Sequence, residues 1–292
     1  MTQAEEISFA ARDGYALRGD LYAPTTAPRA GMLITSGTGF KKSFYKRLAR
    51  DAAARGYLCL AFDCRGIGTS APDDIAAMTD DYTAWGSHDM PAALDALASR
   101  LDGAPIVHAA HSVGGHFIGL WDNHEKIAAH AFMCVGSGYW GDHKFPNPLL
   151  ELFFWSVYGR YSLWRHGYVK RGAGWMGEDL PPNVFKTWRR WCLNPTYFRD
   201  EIGASDGPMA SAHYDAVTAP IRSWIYADDP IATVKTARPM LDLYPNAARE
   251  IVERAPADYG VAKIGHNGPF TENTAAARAE VLDWLDAEIA VG

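Results

Sequence analysis

The feature that most constrains this chain is an alternation of short apolar runs with helical patterns, interrupted once and then resumed. Ile7–Ala11 and Ala16–Leu21 flank Asp13-Gly14, a hairpin signal. Gly31–Thr35 reads as a strand, and Lys46–Arg55 as an Ala- and Arg-rich helix closed by Gly56. Tyr57–Phe62 is a strand apolar on both faces, and Asp89–Leu101 a helix with Pro91 in its first turn. Ile106–Ala110 follows as a strand and Val113–Leu120 as a helix. After the interruption, Ile221–Tyr226 and Arg249–Arg254 read as strands, Val234–Leu243 as a helix carrying Pro239, and Asn273–Ile289 as a closing amphipathic helix. Short buried strands separated by helices imply a parallel sheet with helices on both faces, an α/β fold.

The interruption spans residues 141–216 and holds five of the ten tryptophans: Trp155, Trp164, Trp175, Trp188 and Trp191. With Pro, Gly and basic residues interspersed, it reads as a mostly helical insertion, a cap over the sheet. The expected organisation is therefore 1–140 as the first part of the core, 141–216 as a helical Trp-rich cap and 217–292 as the second part of the core. A chain of 292 residues buries roughly 75% of its unfolded surface and needs no staples. Its 48% hydrophobic and 21% charged residues exclude a disordered chain, a collagen-like repeat and a coiled coil.

The net charge of −6 leaves no basic excess to neutralise phosphates, so no nucleic-acid partner is expected. No apolar run approaches the length of a membrane span, and the first residues have neither a basic nor an apolar leader region. The expectation is a cytoplasmic protein with no membrane partner. Cys59, Cys64, Cys134 and Cys192 lack metal-like spacing and read as reduced thiols. No metal or cofactor is expected.

The most specific local signal is Val107-His108-Ala109-Ala110-His111-Ser112-Val113-Gly114-Gly115. An apolar strand runs into a small residue, then x-Ser-x-Gly, then a helix, the pattern of a nucleophile elbow. The sharp turn needs small residues two before and two after the serine, here Ala110 and Gly114. The following helix would aim its N-terminus and the Val113 N–H at a reaction centre.

A serine hydroxyl is a poor nucleophile at neutral pH and needs a base, which in turn needs an orienting acid. In this architecture the chain order is Ser, acid, His. Ala227-Asp228-Asp229-Pro230-Ile231 follows the Ile221–Tyr226 strand, with Asp229 as the preferred acid and Asp228 left open beside it. Ile264-Gly265-His266-Asn267-Gly268 follows the next strand and supplies the histidine. Nine other histidines compete, His111 and His116 among them, but His266 alone lies one strand–helix–strand step after the acid. An oxyanion hole needs a second N–H besides that of Val113. The loop Ser36-Gly37-Thr38-Gly39-Phe40 after the Gly31–Thr35 strand offers Thr38 or Phe40. Asp63 and Arg65, in a glycine-rich turn after another strand, read as structural pins.

On these residues, with Phe62-Asp63-Cys64-Arg65-Gly66-Ile67-Gly68-Thr69-Ser70 and Gly265-His266, the chain resembles the α/β-hydrolase superfamily. Gly136-Ser137-Gly138-Tyr139-Trp140 and Met176-Gly177-Glu178-Asp179-Leu180-Pro181 make it similar, more narrowly, to a bacterial branch of predicted serine hydrolases. The resemblance implies an α/β-hydrolase fold with a mostly parallel eight-stranded sheet, and a Ser112–Asp229–His266 triad. It implies no substrate, since the fold hosts many chemistries. The expected activity is cofactor-independent hydrolysis of carboxylic esters through an acyl-enzyme on a small-molecule acyl substrate with an apolar part. An acyltransferase, an amidase or peptidase on the same triad, and a non-catalytic binding protein are the alternatives. An exposed apolar face on the cap would support a homodimer.

Overall fold

The computed structural model describes residues 4–172, 174–207 and 209–291. The first three residues, on which the reading of the N-terminus partly rests, lie outside them. Eight strands form one sheet: β1 (Glu5–Ala10), β2 (Ala16–Tyr22), β3 (Ala30–Thr35), β4 (Tyr57–Asp63), β5 (Ile106–His111), β6 (Ile127–Met133), β7 (Ile221–Tyr226) and β8 (Arg249–Arg254). Their order across the sheet is β1-β2-β4-β3-β5-β6-β7-β8. β2 pairs antiparallel with both β1 and β4, and every other pair is parallel. Gly14, at φ 87°, makes the β1–β2 turn that Asp13-Gly14 announces.

Every residue of β3, β4 and β5 is buried, as strands covered on both faces must be. One face packs on α1 (Lys46–Ala54) and α7 (Ala275–Val291) through Leu48, Ala52, Val281 and Leu285. The other packs on α2 (Met90–Ala98) through Met90, Leu94 and Leu97. α1 ends where Gly56 takes φ 94° and returns its N–H to the Ala53 carbonyl. β3 lies between β4 and β5. The loops after β3 and β5 therefore open a crevice at the carboxyl ends of the strands, at the point where the winding reverses.

Two elements depart from the sequence reading. β6 emerges in a stretch rich in Ala and His that carries no strand-like alternation. The helix expected over Val113–Leu120 is replaced by two short 3₁₀ turns, Ser112–Gly115 and Ile118–Leu120. Gly114, Gly115 and Gly119 deprive that segment of helix propensity, and packing fixes the outcome. A Cβ on Gly119 would sit 2.6 Å from the Tyr214 ring, and one on Gly115 2.9 Å from Val135.

Between β6 and β7 lie α3 (Asn147–Phe153), α4 (Gly159–His166) and α5 (Pro182–Cys192), with an irregular segment from 167 to 181 joined by the bridges Val169–Leu180 and Gly172–Trp175. Phe154, Trp155, Trp175, Phe185 and Trp188 form its aromatic interior. After β7, α6 (Val234–Leu241) starts at a Thr233 cap and tolerates Pro239 near its end.

Candidate active site

Ser112 sits directly after β5 with φ 49°, a left-handed conformation unfavourable for any residue but glycine. The turn leaves no room two residues on: a Cβ on Gly114 would meet the Thr35 carbonyl oxygen at 2.5 Å. The strain projects the Ser112 hydroxyl into the crevice, where it lies 3.1 Å from His266 Nε2. His266 follows β8, and its Nδ1 lies 2.8 Å from Asp229 Oδ2. Asp229 follows β7 and is completely buried. Its Oδ1 accepts the N–H groups of Ile231 and Ala232, at 2.8 and 3.0 Å. Burial alone would raise the Asp229 carboxyl. The facing His266 and the two amides outweigh it and hold the group below its ordinary value.

An ionised Asp229 accepts the Nδ1–H of His266, so Nε2 is the lone-pair nitrogen and accepts the Ser112 hydroxyl proton. Asp228, the neighbour left open by the sequence, serves differently. Its two oxygens accept the N–H groups of Gly265 and Ile264, each at 2.9 Å, and so fix the backbone that carries His266.

Among the described residues, the N–H groups of Val113 and Thr38 meet no protein acceptor, and both residues line the crevice. The Phe40 N–H is committed to the Gly37 carbonyl at 3.1 Å, closing the loop's own turn. Of the two donors offered by the sequence, Thr38 alone is free, because Phe40 spends its N–H holding the loop. The Thr38 hydroxyl bonds to Tyr82, which anchors the loop from the α2 side of the sheet. Gly39, at φ 74°, lets the segment between β6 and β7 rest on this loop, since a Cβ there would run into the Trp175 ring. The Gly39 carbonyl accepts the Glu178 N–H at 2.9 Å, and Lys41 pairs with Glu178 at 3.2 Å.

A cavity of about 540 Å³ opens in front of Ser112. Phe154, Trp155, Trp175 and Trp188 supply an apolar wall, and His116, His143, Asn147 and Glu151 the polar positions. Glu151 is already occupied, both oxygens lying within 2.8 Å of His143 Nδ1 and one also taking the Asn147 amide. Burial works against a charge on His143, but Glu151 outweighs it and holds the imidazole above its ordinary value. His116 is neutral, pushed down to about 3 by burial.

Asp63 and Arg65 lie outside this cavity. Asp63 accepts the N–H groups of Lys42 and Thr69 at 2.6 and 2.8 Å. Arg65, 1% exposed, pairs with Asp13, Asp80 and Asp89 at 2.6–2.7 Å, so both residues pin loops. The sequence reading missed Tyr45 and Tyr82, which reach the site from a helical turn and a loop with no motif around them. All four cysteines are free and buried, and burial pushes the Cys134 thiol up. Cys134 Sγ lies within 4.8 Å of both Asp229 and His266. The Nδ1–H of His266 and the carboxylate of Asp229 are already committed to each other, which disfavours a metal there.

No curated protein matches the chain by sequence. Among solved structures, it is similar to a soluble variant of the monoglyceride lipase of Saccharomyces cerevisiae, at 16% identity and a TM-score of 0.65, over 99% of this chain and 95% of that one. An esterase of Pyrococcus furiosus is similar at 12% identity and a TM-score of 0.60, over 99% and 91% of the two chains. The thioesterase domain of a curacin biosynthetic pathway is similar at 14% and 0.54, over 96% and 99%. At these identities the likeness is one of fold, the α/β-hydrolase fold. The family model described as serine aminopeptidase, S33 matches residues 26–172, half of the chain, and the chain belongs to that family of α/β hydrolases.

Proposed function

We propose that this hydrolase cleaves carboxylic esters through an acyl-enzyme on Ser112. The observation that carries the reading is the continuous hydrogen-bonded line from Ser112 through His266 to Asp229, 3.1 and 2.8 Å, at the floor of an aromatic cavity. As the Ser112 oxygen attacks the acyl carbonyl, His266 Nε2 takes its proton, and the buried Asp229 stabilises the resulting imidazolium and keeps the tautomer. The Val113 and Thr38 N–H groups, which meet no other acceptor, receive the oxyanion. His266 returns the proton to the leaving alcohol, then takes a proton from the water that attacks the acyl-enzyme and hands it to the Ser112 oxygen as the acyl bond breaks and the acid leaves.

A peptidase acting at a free N-terminus needs a carboxylate to hold the substrate's ammonium group. Glu151, the carboxylate in the cavity wall, is already spent on His143 and Asn147. The remaining wall is aromatic, which suits an apolar acyl group. The test is labelling by a fluorophosphonate, wild type beside Ser112→Ala, followed by a graded panel of p-nitrophenyl esters and matched anilides. Labelling of the wild type alone with turnover of esters over anilides is the expected result. Equal labelling of both proteins would remove Ser112 from the mechanism, and faster anilide turnover would replace the esterase with an amidase.

A further inference from the structure

The cap turns an apolar side outward. From Asn147 to His166 the backbone is helical without a break, α3 passing through a single π turn, Phe154–Tyr158, into α4. A surface helix ordinarily buries its apolar stripe and exposes its polar one. Here Phe154, Trp155, Gly159 and Ser162 face the cap interior. The opposite face is apolar as well: Leu149, Leu150, Phe153, Val157, Tyr161 and Trp164 are all at least half exposed, Trp164 by 80%. Phe145 and Met176 are each 80% exposed as well. Every large hydrophobic side chain exposed to this degree among the described residues lies between 145 and 176. Leu150 and Met176 also line the cavity in front of Ser112, so the patch and the cavity share these two side chains.

The free charges on this segment are basic. From 142 to 179 the chain has Lys144, Arg160, Arg165, Lys170 and Arg171 against Asp142, Glu151, Glu178 and Asp179, and Asp142 pairs with Lys235 while Glu178 pairs with Lys41 and Arg171. Glu151 is occupied by His143. Arg160, Arg165 and Lys170 form no ion pair among the described residues. A second copy docked on this face would set two such groups of basic side chains against each other. An anionic lipid surface offers both halves of the complement, acyl chains for the apolar stripe and negative headgroups for the free basic side chains.

We propose that the cap docks on the surface of an anionic bilayer, with the 147–166 helix lying in the interfacial plane. No described helix is long and apolar enough to cross a membrane, and a helix lying on its surface needs no such length. Resting on the esterase reading, the sharing of Leu150 and Met176 by patch and cavity lets an apolar acyl substrate pass from the bilayer to Ser112 without crossing water.

The test is co-sedimentation of the full chain with vesicles of phosphatidylcholine alone and of equimolar phosphatidylcholine and phosphatidylglycerol, run on the wild type and on Ser112→Ala. Both proteins are expected to bind the mixed vesicles, and to bind neutral vesicles or high salt conditions more weakly. Phe153→Ser with Trp164→Ser, both at exposed sites, is expected to lower partitioning at least about tenfold with an unchanged melting temperature. Arg160→Glu with Arg165→Glu is expected to remove the preference for anionic vesicles. Absence of binding to either vesicle overturns the proposal, as does binding indifferent to the Phe153/Trp164 pair. A dimer in sedimentation equilibrium that this pair dissociates assigns the face to a second copy instead. Vesicle binding by a wild type that turns over no ester sustains the surface and removes the esterase reading.

Discussion

His111 donates its Nε2–H to the backbone carbonyl of His266, 2.9 Å away, from a position completely buried behind the reacting groups. Burial pushes the His111 imidazole down to about 3, so the ring is neutral and has one N–H to give. Its Nδ1 then accepts from the Tyr45 hydroxyl at 2.8 Å, which itself accepts the Gly37 N–H at 2.8 Å. One unbroken chain of donors and acceptors thus ties the loop that carries Thr38 to the loop that carries His266.

Tyr45→Phe keeps the ring packing against Phe270 and removes the link. The Gly37 N–H and His111 Nδ1 are left buried without partners, a loss of about 1–3 kcal/mol of stability. The expected kinetic signature is a kcat lowered about ten- to a hundredfold with KM nearly unchanged, since geometry and not the cavity is disturbed. Steady-state kinetics with a thermal melt reads both. An unchanged kcat would show that the two loops hold their places independently.

The neighbouring acids should separate sharply. Asp229→Asn offers His266 the wrong tautomer and is expected to lower kcat by about 10⁴-fold. Asp228→Asn retains one acceptor oxygen for the Gly265 and Ile264 amides and is expected to cost about tenfold or less. The kcat values of the two variants on one ester decide it, and reversed magnitudes would exchange their roles.

Ser112→Gly is expected to abolish turnover yet raise stability by about 1 kcal/mol, because glycine adopts φ 49° without strain. Ser112→Ala, equally inactive, keeps the strain and should melt near the wild type. Differential scanning calorimetry of the three proteins checks the ordering.

Acid should unfold the protein early. His108, His111, His116 and His130 are all buried and held below 6.5 by burial, the last three at about 3. The unfolded chain therefore binds protons first as pH falls below 6.5, and each site removes about 1.4 kcal/mol of stability per pH unit until its folded value is reached. Asp89, raised by burial to about 6, Asp63, raised by burial too, and His143, raised by Glu151 in spite of its burial, oppose this because the folded state protonates them first. Four buried histidines against three opposing groups leave a net loss on acidification. Denaturant titrations between pH 7 and 4.5 should show stability falling throughout, and a flat profile would contradict the neutral-histidine assignment.

Much of this was legible in the residues. Strands bounded by glycine turns read correctly because burial on both faces leaves them uniformly apolar, as in Tyr57–Phe62. The order Ser112, Asp229, His266 follows from where an α/β sheet puts its carboxyl ends. β6 was not legible, since Ile127–Met133 alternates in neither period and is a strand because β5 and β7 flank it. That the Phe40 N–H is committed to the Gly37 carbonyl while that of Thr38 meets no protein acceptor was hidden as well, since no side-chain pattern encodes a backbone hydrogen bond. Tyr45 was invisible because its hydroxyl matters only through a contact with His111, far away in sequence. The outward apolar patch escaped for another reason. A hydrophobic fraction of 48% is ordinary, and what is unusual is the outward direction of a few of those side chains.

The Gly39–Trp175 approach and the Glu178 contacts to residues 39 and 41 bear on how this enzyme can be re-engineered. The segment between β6 and β7 walls the cavity with Trp155, Trp175 and Trp188, so exchanging it would change what the cavity admits. The same segment rests on the loop that carries Thr38. A transplanted cap would bring new specificity only if the 38–41 loop travelled with it, so the two segments form a single cassette despite their separation in the chain.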